Sequence, residues 1–507
     1  MSRTCAVVLL LTCAVIQSPA AIGRCDLDAL ATLTSSSVTI RSAGRVAGPE
    51  RPGLPGQGRC RVEASVSAAP GSLINFEVWI PDRWNRKLVV TGNGGYGNTP
   101  STRDMSQAVA AGYAAIGGDT GHQTPTPDDL MWGAGHPERI TDWGSRSIHA
   151  ITSPGRRIVE IAGGESVRRA YFNGCSTGGH QAYAEMQRYP QDFDGVVAGA
   201  PGNNRVRLNA GFLWQFLANR RRADNTTIIP ASKLPMITQA IVAACDANDG
   251  VTDGVVDDPR TCRFEPAALQ CKSGDEPGCL TSEQVGALNK MYAGARNPRT
   301  GEQIYPGWPK SSEALTVAVS GQPQSGWQQY WGTAEPTRVN FWRHWVFADP
   351  GWDWWSFDFD RDLGAADAKV GRLIDQVNPD LSAFKARGGK AIVYQGWQDP
   401  VVNAIDTIAF YERVLARQGS PRETDRFFRL FMVPGMGHCS GGPGATNFDA
   451  VAALDAWVEK GLPPDRIIAS RIVDGVTVRT RPLCPYPQKA VYTGSGSTDD
   501  AANFACR

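Results

Sequence analysis

Arg169-Ala170-Tyr171-Phe172-Asn173-Gly174-Cys175-Ser176-Thr177-Gly178 runs a short apolar stretch directly into a G-x-S-x-G turn, and a helical pattern follows over 179–188. A serine on a tight turn between strand and helix is a nucleophile elbow, where the turn lifts the hydroxyl above the sheet edge. The pentapeptide alone is a weak signal in a chain with 55 glycines. Its setting between a strand and a helix makes it informative.

Outward from the elbow the same rhythm repeats. Strands are predicted over 62–67, 74–80, 87–91, 113–117, 193–198, 390–395 and 427–433. Helices are predicted over 147–162, 380–386, 402–418 and 447–460. Strands alternating with helices argue for a mostly parallel sheet. The rhythm breaks in the middle, where four cysteines, an acidic loop and eight tryptophans gather (Trp308, Trp327, Trp331, Trp342, Trp345, Trp352, Trp354 and Trp355). The expected architecture is an α/β-hydrolase fold over 21–204 and 366–507 with a large lid domain inserted at 205–365.

This fold orders its triad serine, acid, histidine. His438 lies in a glycine-rich loop after the strand at 427–433, and Asp399 follows the preceding strand in Gly396-Trp397-Gln398-Asp399-Pro400. A carboxylate there accepts the imidazole Nδ1–H and fixes the tautomer. Asp406 is the competing acid, but it falls inside the next helix. Two backbone donors are needed for the oxyanion. The amide of Thr177 is one, and the loop Gly92-Asn93-Gly94-Gly95-Tyr96-Gly97 supplies the other at Gly95, with Gly94 close behind. That loop is no dinucleotide fingerprint, since its spacing is G-x-G-G-x-G without a suitably placed acid.

Composition narrows the setting. With 51 basic against 50 acidic residues, nothing points to a nucleic acid or an anionic membrane surface. Residues 1–20 read as an export signal: Arg3, an apolar run over 5–16, and a small-residue cleavage site at Ser18-Pro19-Ala20-Ala21. Removing Cys5 and Cys13 with it leaves ten of twelve cysteines, an even number that suits disulfides in an oxidising compartment. Local spacing proposes Cys245–Cys262, Cys271–Cys279 and Cys484–Cys506; Cys25–Cys60 staples the N-terminus, which leaves Cys175 and Cys439 for each other. That last bond pins the serine beside the histidine. The protein is expected to be secreted or periplasmic and to act as a monomer.

The run Cys245-Asp246-Ala247-Asn248-Asp249-Gly250-Val251-Thr252-Asp253-Gly254-Val255-Val256-Asp257-Asp258 concentrates carboxylates on a glycine-flexed loop. Hard oxygen donors of this kind suit calcium, although the spacing is not that of an EF-hand.

Cys175-Ser176, Asp399 and His438-Cys439 resemble the CS-D-HC motif of the tannase and feruloyl esterase family, which includes bacterial terephthalate monoester hydrolases. The likeness extends to Gly199-Ala200-Pro201 after the elbow, the Asp-Gly loop of the lid, and Gly388-Gly389-Lys390 leading into the acid. The resemblance implies a disulfide between the two cysteines beside serine and histidine. It also implies a calcium ion in the lid, held by side chains at Asp246, Asp249 and Asp253 and carbonyls at Val251 and Val255. Members cleave esters of hydroxycinnamic, gallic or related aromatic acids.

The leading expectation is therefore a serine esterase acting on a small aromatic ester. Trp397, two residues before the acid, is the expected substrate contact. A terephthalate-type monoester is the alternative substrate; its free carboxylate calls for a lid arginine, for which Arg338 and Arg343 are the candidates. A different class altogether is an inactive secreted protein that binds aromatics or glycans on this scaffold.

Overall fold

The computed structural model describes residues 24–50, 53–319 and 322–507, so the export signal lies outside the described residues. Nine strands form the central sheet: β1 (Val38–Val46), β2 (Arg59–Val66), β3 (Ile74–Pro81), β4 (Lys87–Thr91), β5 (Ala114–Gly118), β6 (Arg169–Cys175), β7 (Gly195–Gly199), β8 (Lys390–Gly396) and β9 (Phe428–Val433). Their spatial order is β1-β2-β3-β5-β4-β6-β7-β8-β9. The pairs from β1 to β5 are antiparallel, and those from β5 through β9 are parallel.

The parallel strands are apolar runs because both of their faces are covered. Leu88 and Val90 face one core with helices Ser147–Gly163, Thr177–Arg188 and Ala404–Gln418. Val89 faces the other, with helices Thr102–Ala110 and Ala450–Lys460. Successive side chains of a strand point to opposite faces, so one short run feeds two layers.

Between β7 and β8 the chain leaves the sheet and builds a region on helices Arg205–Ala218, Leu234–Cys245 and Ser282–Ala293. Six of its nine tryptophans are buried, Trp327 and Trp342 almost completely. Its core is continuous with body residues Tyr96, Trp132 and Trp143, and it runs through Ala366, Val370 and Ile374, past position 365. Trp345 packs edge-on to Trp143 at 5.6 Å and donates through Nε1 to the Leu130 carbonyl at 3.0 Å. The inserted region is thus bolted to the body by shared aromatic packing. Five disulfides are present: Cys25–Cys60, Cys175–Cys439, Cys245–Cys262, Cys271–Cys279 and Cys484–Cys506. No helix among the described residues is long and apolar enough to cross a membrane.

Candidate active site

β6 ends at Cys175, and Ser176 sits at φ 63°, ψ −115°. A non-glycine residue held there stores roughly 1–3 kcal/mol of strain, which a functional turn tolerates and an ordinary one discards. The flanking glycines follow from the same crowding. A Cβ on Gly174 would lie 2.6 Å from the Gly178 Cα, and one on Gly179 would lie 2.2 Å from the Gly199 carbonyl oxygen.

β8 and β9 run side by side to Gly396 and Val433, so the two loops that follow emerge together. His438 Nε2 stands 2.8 Å from Ser176 Oγ, and His438 Nδ1 stands 2.8 Å from Asp399 Oδ2. Asp399 is fully buried. Its Oδ1 accepts from the amides of Val401 (2.7 Å) and Val402 (3.0 Å), and its Oδ2 also accepts from Gln395 Nε2 at 3.1 Å. A carboxylate so surrounded by donors is itself an acceptor toward the ring. Nδ1 therefore carries the proton, and Nε2 is left to accept the serine hydroxyl. Asp406 lies elsewhere, on the following helix with Asn204 Nδ2 at 3.3 Å, and burial pushes its carboxyl up to about 6. Cys175 and Cys439 are bonded with Cα atoms 5.9 Å apart, which ties the serine turn to the histidine loop.

The amides of Thr177 and Gly95 donate no hydrogen bond within the described residues. Gly95 has φ +55°. Its carbonyl accepts from Thr177 Oγ1 at 2.7 Å and from Trp143 Nε1 at 3.2 Å. Two open amides beside a poised hydroxyl can receive a carbonyl oxygen as it gains charge.

Several residues that the sequence did not reveal support this arrangement. Trp308 Nε1 and Tyr330 Oη both donate to the Pro400 carbonyl, so the inserted region grips the turn that carries Asp399. Gln398 joins three segments: Oε1 accepts from the Gly435 amide, and Nε2 donates to the Val256 carbonyl, each at 2.6 Å. No local pattern marks these residues, because each acts on a partner distant in sequence.

Trp397 takes a different place from the one expected. Its ring lies under the Arg260 guanidinium at 4.6 Å and lines a cavity of about 50 Å³ with Arg260, Tyr486 and Pro487. No triad residue lines that cavity. The two lid arginines also part company. Arg343 is bound bidentately by Glu335 at 2.9 Å. Arg338, at φ +61°, lies over the rings of Tyr96 (5.1 Å) and Phe212 (4.9 Å) and forms no ion pair among the described residues.

The acidic loop folds around Asp246. Its Oδ1 accepts from the Asp253 and Val255 amides, and its Oδ2 from the Gly254 amide. Asp249 accepts from the Val251 amide, and Asp253 is gripped by Arg479 and Arg481. Asp249, Asp253, Val255 and Asp257 line a cavity of about 20 Å³ against Pro434 and Arg481. Burial, then Asp249, push the Asp257 carboxyl up to about 7. Hard oxygens around so small a space suit calcium in kind. As folded, no three His, Cys, Asp or Glu side chains among the described residues are gathered as a metal needs.

Comparison with known proteins agrees with this geometry. The family profile described as tannase and feruloyl esterase matches residues 60–507. An uncharacterized esterase of Xanthomonas campestris pv. campestris is 38% identical over 95% of this chain and 90% of its own length. A mono(2-hydroxyethyl) terephthalate hydrolase of Piscinibacter sakaiensis is 34% identical over 88% of this chain and 84% of its own. The crystal structure of feruloyl esterase B from Aspergillus oryzae superposes with a TM-score of 0.85 at 26% identity, covering 95% of this chain and 99% of that one. A profile match across most of the chain, together with relatives above 30% identity over nearly its full length, means that this chain belongs to the tannase and feruloyl esterase family.

Proposed function

We propose that this protein is a secreted serine carboxylester hydrolase that cleaves esters of aromatic acids through an acyl-enzyme. The observation that carries this reading is the unbroken chain from Asp399 through His438 to Ser176 Oγ, with both contacts at 2.8 Å. Ser176 Oγ attacks the ester carbonyl carbon while His438 Nε2 takes the hydroxyl proton. The carbonyl oxygen, now negative, rests on the amides of Thr177 and Gly95. Collapse breaks the bond to the alcohol, which leaves with the proton from Nε2. Water then attacks the acyl-serine, giving one proton to Nε2, and the acid departs as Ser176 is re-formed. Asp399 holds the ring and stabilises its cationic form throughout.

Hydrolysis of methyl ferulate and methyl gallate tests the reading directly. Ser176→Ala is expected to lower kcat by a factor on the order of 10⁵ or more, and a serine-reactive phosphonate should label the native protein alone. Turnover retained by Ser176→Ala would reject the mechanism, whereas a native protein that is neither labelled nor active would leave the ligand-binding alternative.

A second reading concerns the acid half of the substrate. Arg338, with no ion pair among the described residues and resting on Tyr96 of the oxyanion loop, favours an acid that carries a second, free carboxylate. Arg338→Met should then raise KM for mono(2-hydroxyethyl) terephthalate and leave that for methyl ferulate unchanged; equal effects on both esters count against it. The acidic loop is read as a structural calcium site, in which the side chains of Asp246, Asp249 and Asp253 and the carbonyls of Val251 and Val255 would hold the ion. Calcium there would neutralise the crowded carboxylates and takes no part in the reaction. Five disulfides support an oxidising compartment outside the cytoplasm.

A further inference from the structure

Behind the oxyanion site lies a buried cation that the reaction scheme does not use. Arg205 begins the first helix of the inserted region and is 2% exposed. Burial pulls its guanidinium down to about 10, so it remains charged at neutral pH. It lies over the Trp143 ring at 5.1 Å and donates through Nη2 to Thr177 Oγ1 at 2.8 Å. Its Nε has no partner, and it makes no ion pair among the described residues. The neighbouring Asp375 carboxylate is turned instead to the Val206 amide at 3.1 Å. A charge buried without a counter-ion in contact is costly, and a leucine or methionine would fill the space without that cost.

What the guanidinium contributes is direction. It has donors and no acceptor, so the Thr177 oxygen that receives its N–H must send its own proton elsewhere. That proton goes to the Gly95 carbonyl at 2.7 Å, where Trp143 Nε1 also arrives at 3.2 Å. The chain of bonds from Arg205 through Thr177 to Gly95 therefore spans the two segments whose amides are open. It also sets a positive charge at the N-terminal end of helix Thr177–Arg188, where the helix dipole has the same sign.

We propose that Arg205 is a positioning residue for the oxyanion hole, locking the Thr177 hydroxyl onto the Gly95 carbonyl so that the two amides stay in register, with its charge behind them. This rests on the Ser176 reading above and deepens it. Interactions that matter only once the oxyanion forms change kcat and leave ground-state binding alone.

The test uses the full chain with Arg205→Met, Thr177→Val and the double variant, each compared with wild type on a methyl ester of an aromatic acid. Arg205→Met is expected to lower kcat roughly 10- to 100-fold with KM held within about threefold. The affinity of a trifluoromethyl ketone that mimics the tetrahedral adduct should fall by the same factor, while that of the free product acid stays unchanged. Thr177→Val, close to isosteric, should reproduce the loss even if Arg205→Met folds poorly, and the double variant should be no worse than the weaker single. A kcat within twofold of wild type for both singles overturns the proposal. So does a loss that is additive in the double variant, or one that weakens ketone and product acid equally. An inactive, unlabelled wild type would instead overturn the Ser176 reading, and this proposal with it.

Discussion

The turn at 396–403 and the acidic loop at 245–258 both sink carboxylates beside the histidine loop, and they handle negative charge in opposite ways. Four donors converge on Asp399: two backbone amides, the Gln395 side chain and the imidazole. Each lone pair is matched by a fixed dipole, so the group can face a ring that becomes positive during the reaction. In the acidic loop Asp246 spends its oxygens on three amides of its own turn, and Asp253 takes two arginines. Asp249 keeps a single amide, from Val251, and burial raises both it and Asp257. Carboxylates serve chemistry where dipoles converge on them one at a time, and demand a counter-charge where they crowd.

Three measurements bear on that contrast, in falling order of effect. Asp399→Asn keeps the shape of the turn but offers the ring a donor, which reverses the tautomer and leaves Nε2 unable to accept from Ser176. kcat is expected to drop by about 10⁴ with the melting temperature lower by only a few degrees. A loss below tenfold would mean that the dipoles around Asp399 do not set the ring. For the acidic loop the expectation is the reverse, with stability moving and chemistry not. Chelation should lower the melting temperature by about 5 °C or more, calcium should restore it, and Asp249→Asn should abolish the response. An unchanged melting curve would mean that Arg479 and Arg481 already supply all the positive charge the loop needs.

The smallest effect belongs to Asp406, a buried carboxyl raised to about 6 by desolvation, with only a long contact to Asn204. Because its folded pKa lies above the ordinary carboxylate value, the stability tied to its neutral form is complete below about pH 4 and is lost as pH rises through about 6. Asp406→Asn should therefore be neutral at pH 4 and more stable than wild type by about 2 kcal/mol at pH 8, by denaturant midpoints. A difference independent of pH would show that the group does not titrate in the folded protein.

How much of this was legible in the sequence depended on the reach of each interaction. The elbow and strands β6, β8 and β9 were readable because runs such as Ala391-Ile392-Val393 are buried on both faces. Helix starts were read two or three residues early, at 402 and 447. The side chains of Asn403 and Asp449 instead cap helices that begin at Ala404 and Ala450. Strand β1 went unread because much of it is half-exposed and polar. The hairpin Ile467–Val473 with Val476–Leu483 was missed because Ile468, Ile472 and Val476 face outward, against the usual pattern. Closeness to Asp399 along the chain puts Trp397 forward as a substrate contact, whereas in space its ring meets Arg260. Trp143, Arg205, Trp308 and Tyr330 act on partners far away in sequence, and residue type alone carries no sign of that.

The Pro400 carbonyl, held by Trp308 and Tyr330 from the inserted region, has a consequence for how such enzymes diversify. Any substitution that shifts the packing of those two rings also shifts the peptide next to the triad acid. Reshaping of the insert and speed of the triad are therefore inherited as a linked trait. Directed evolution on this scaffold should progress faster from libraries that vary other insert positions while keeping those two indole and phenol donors.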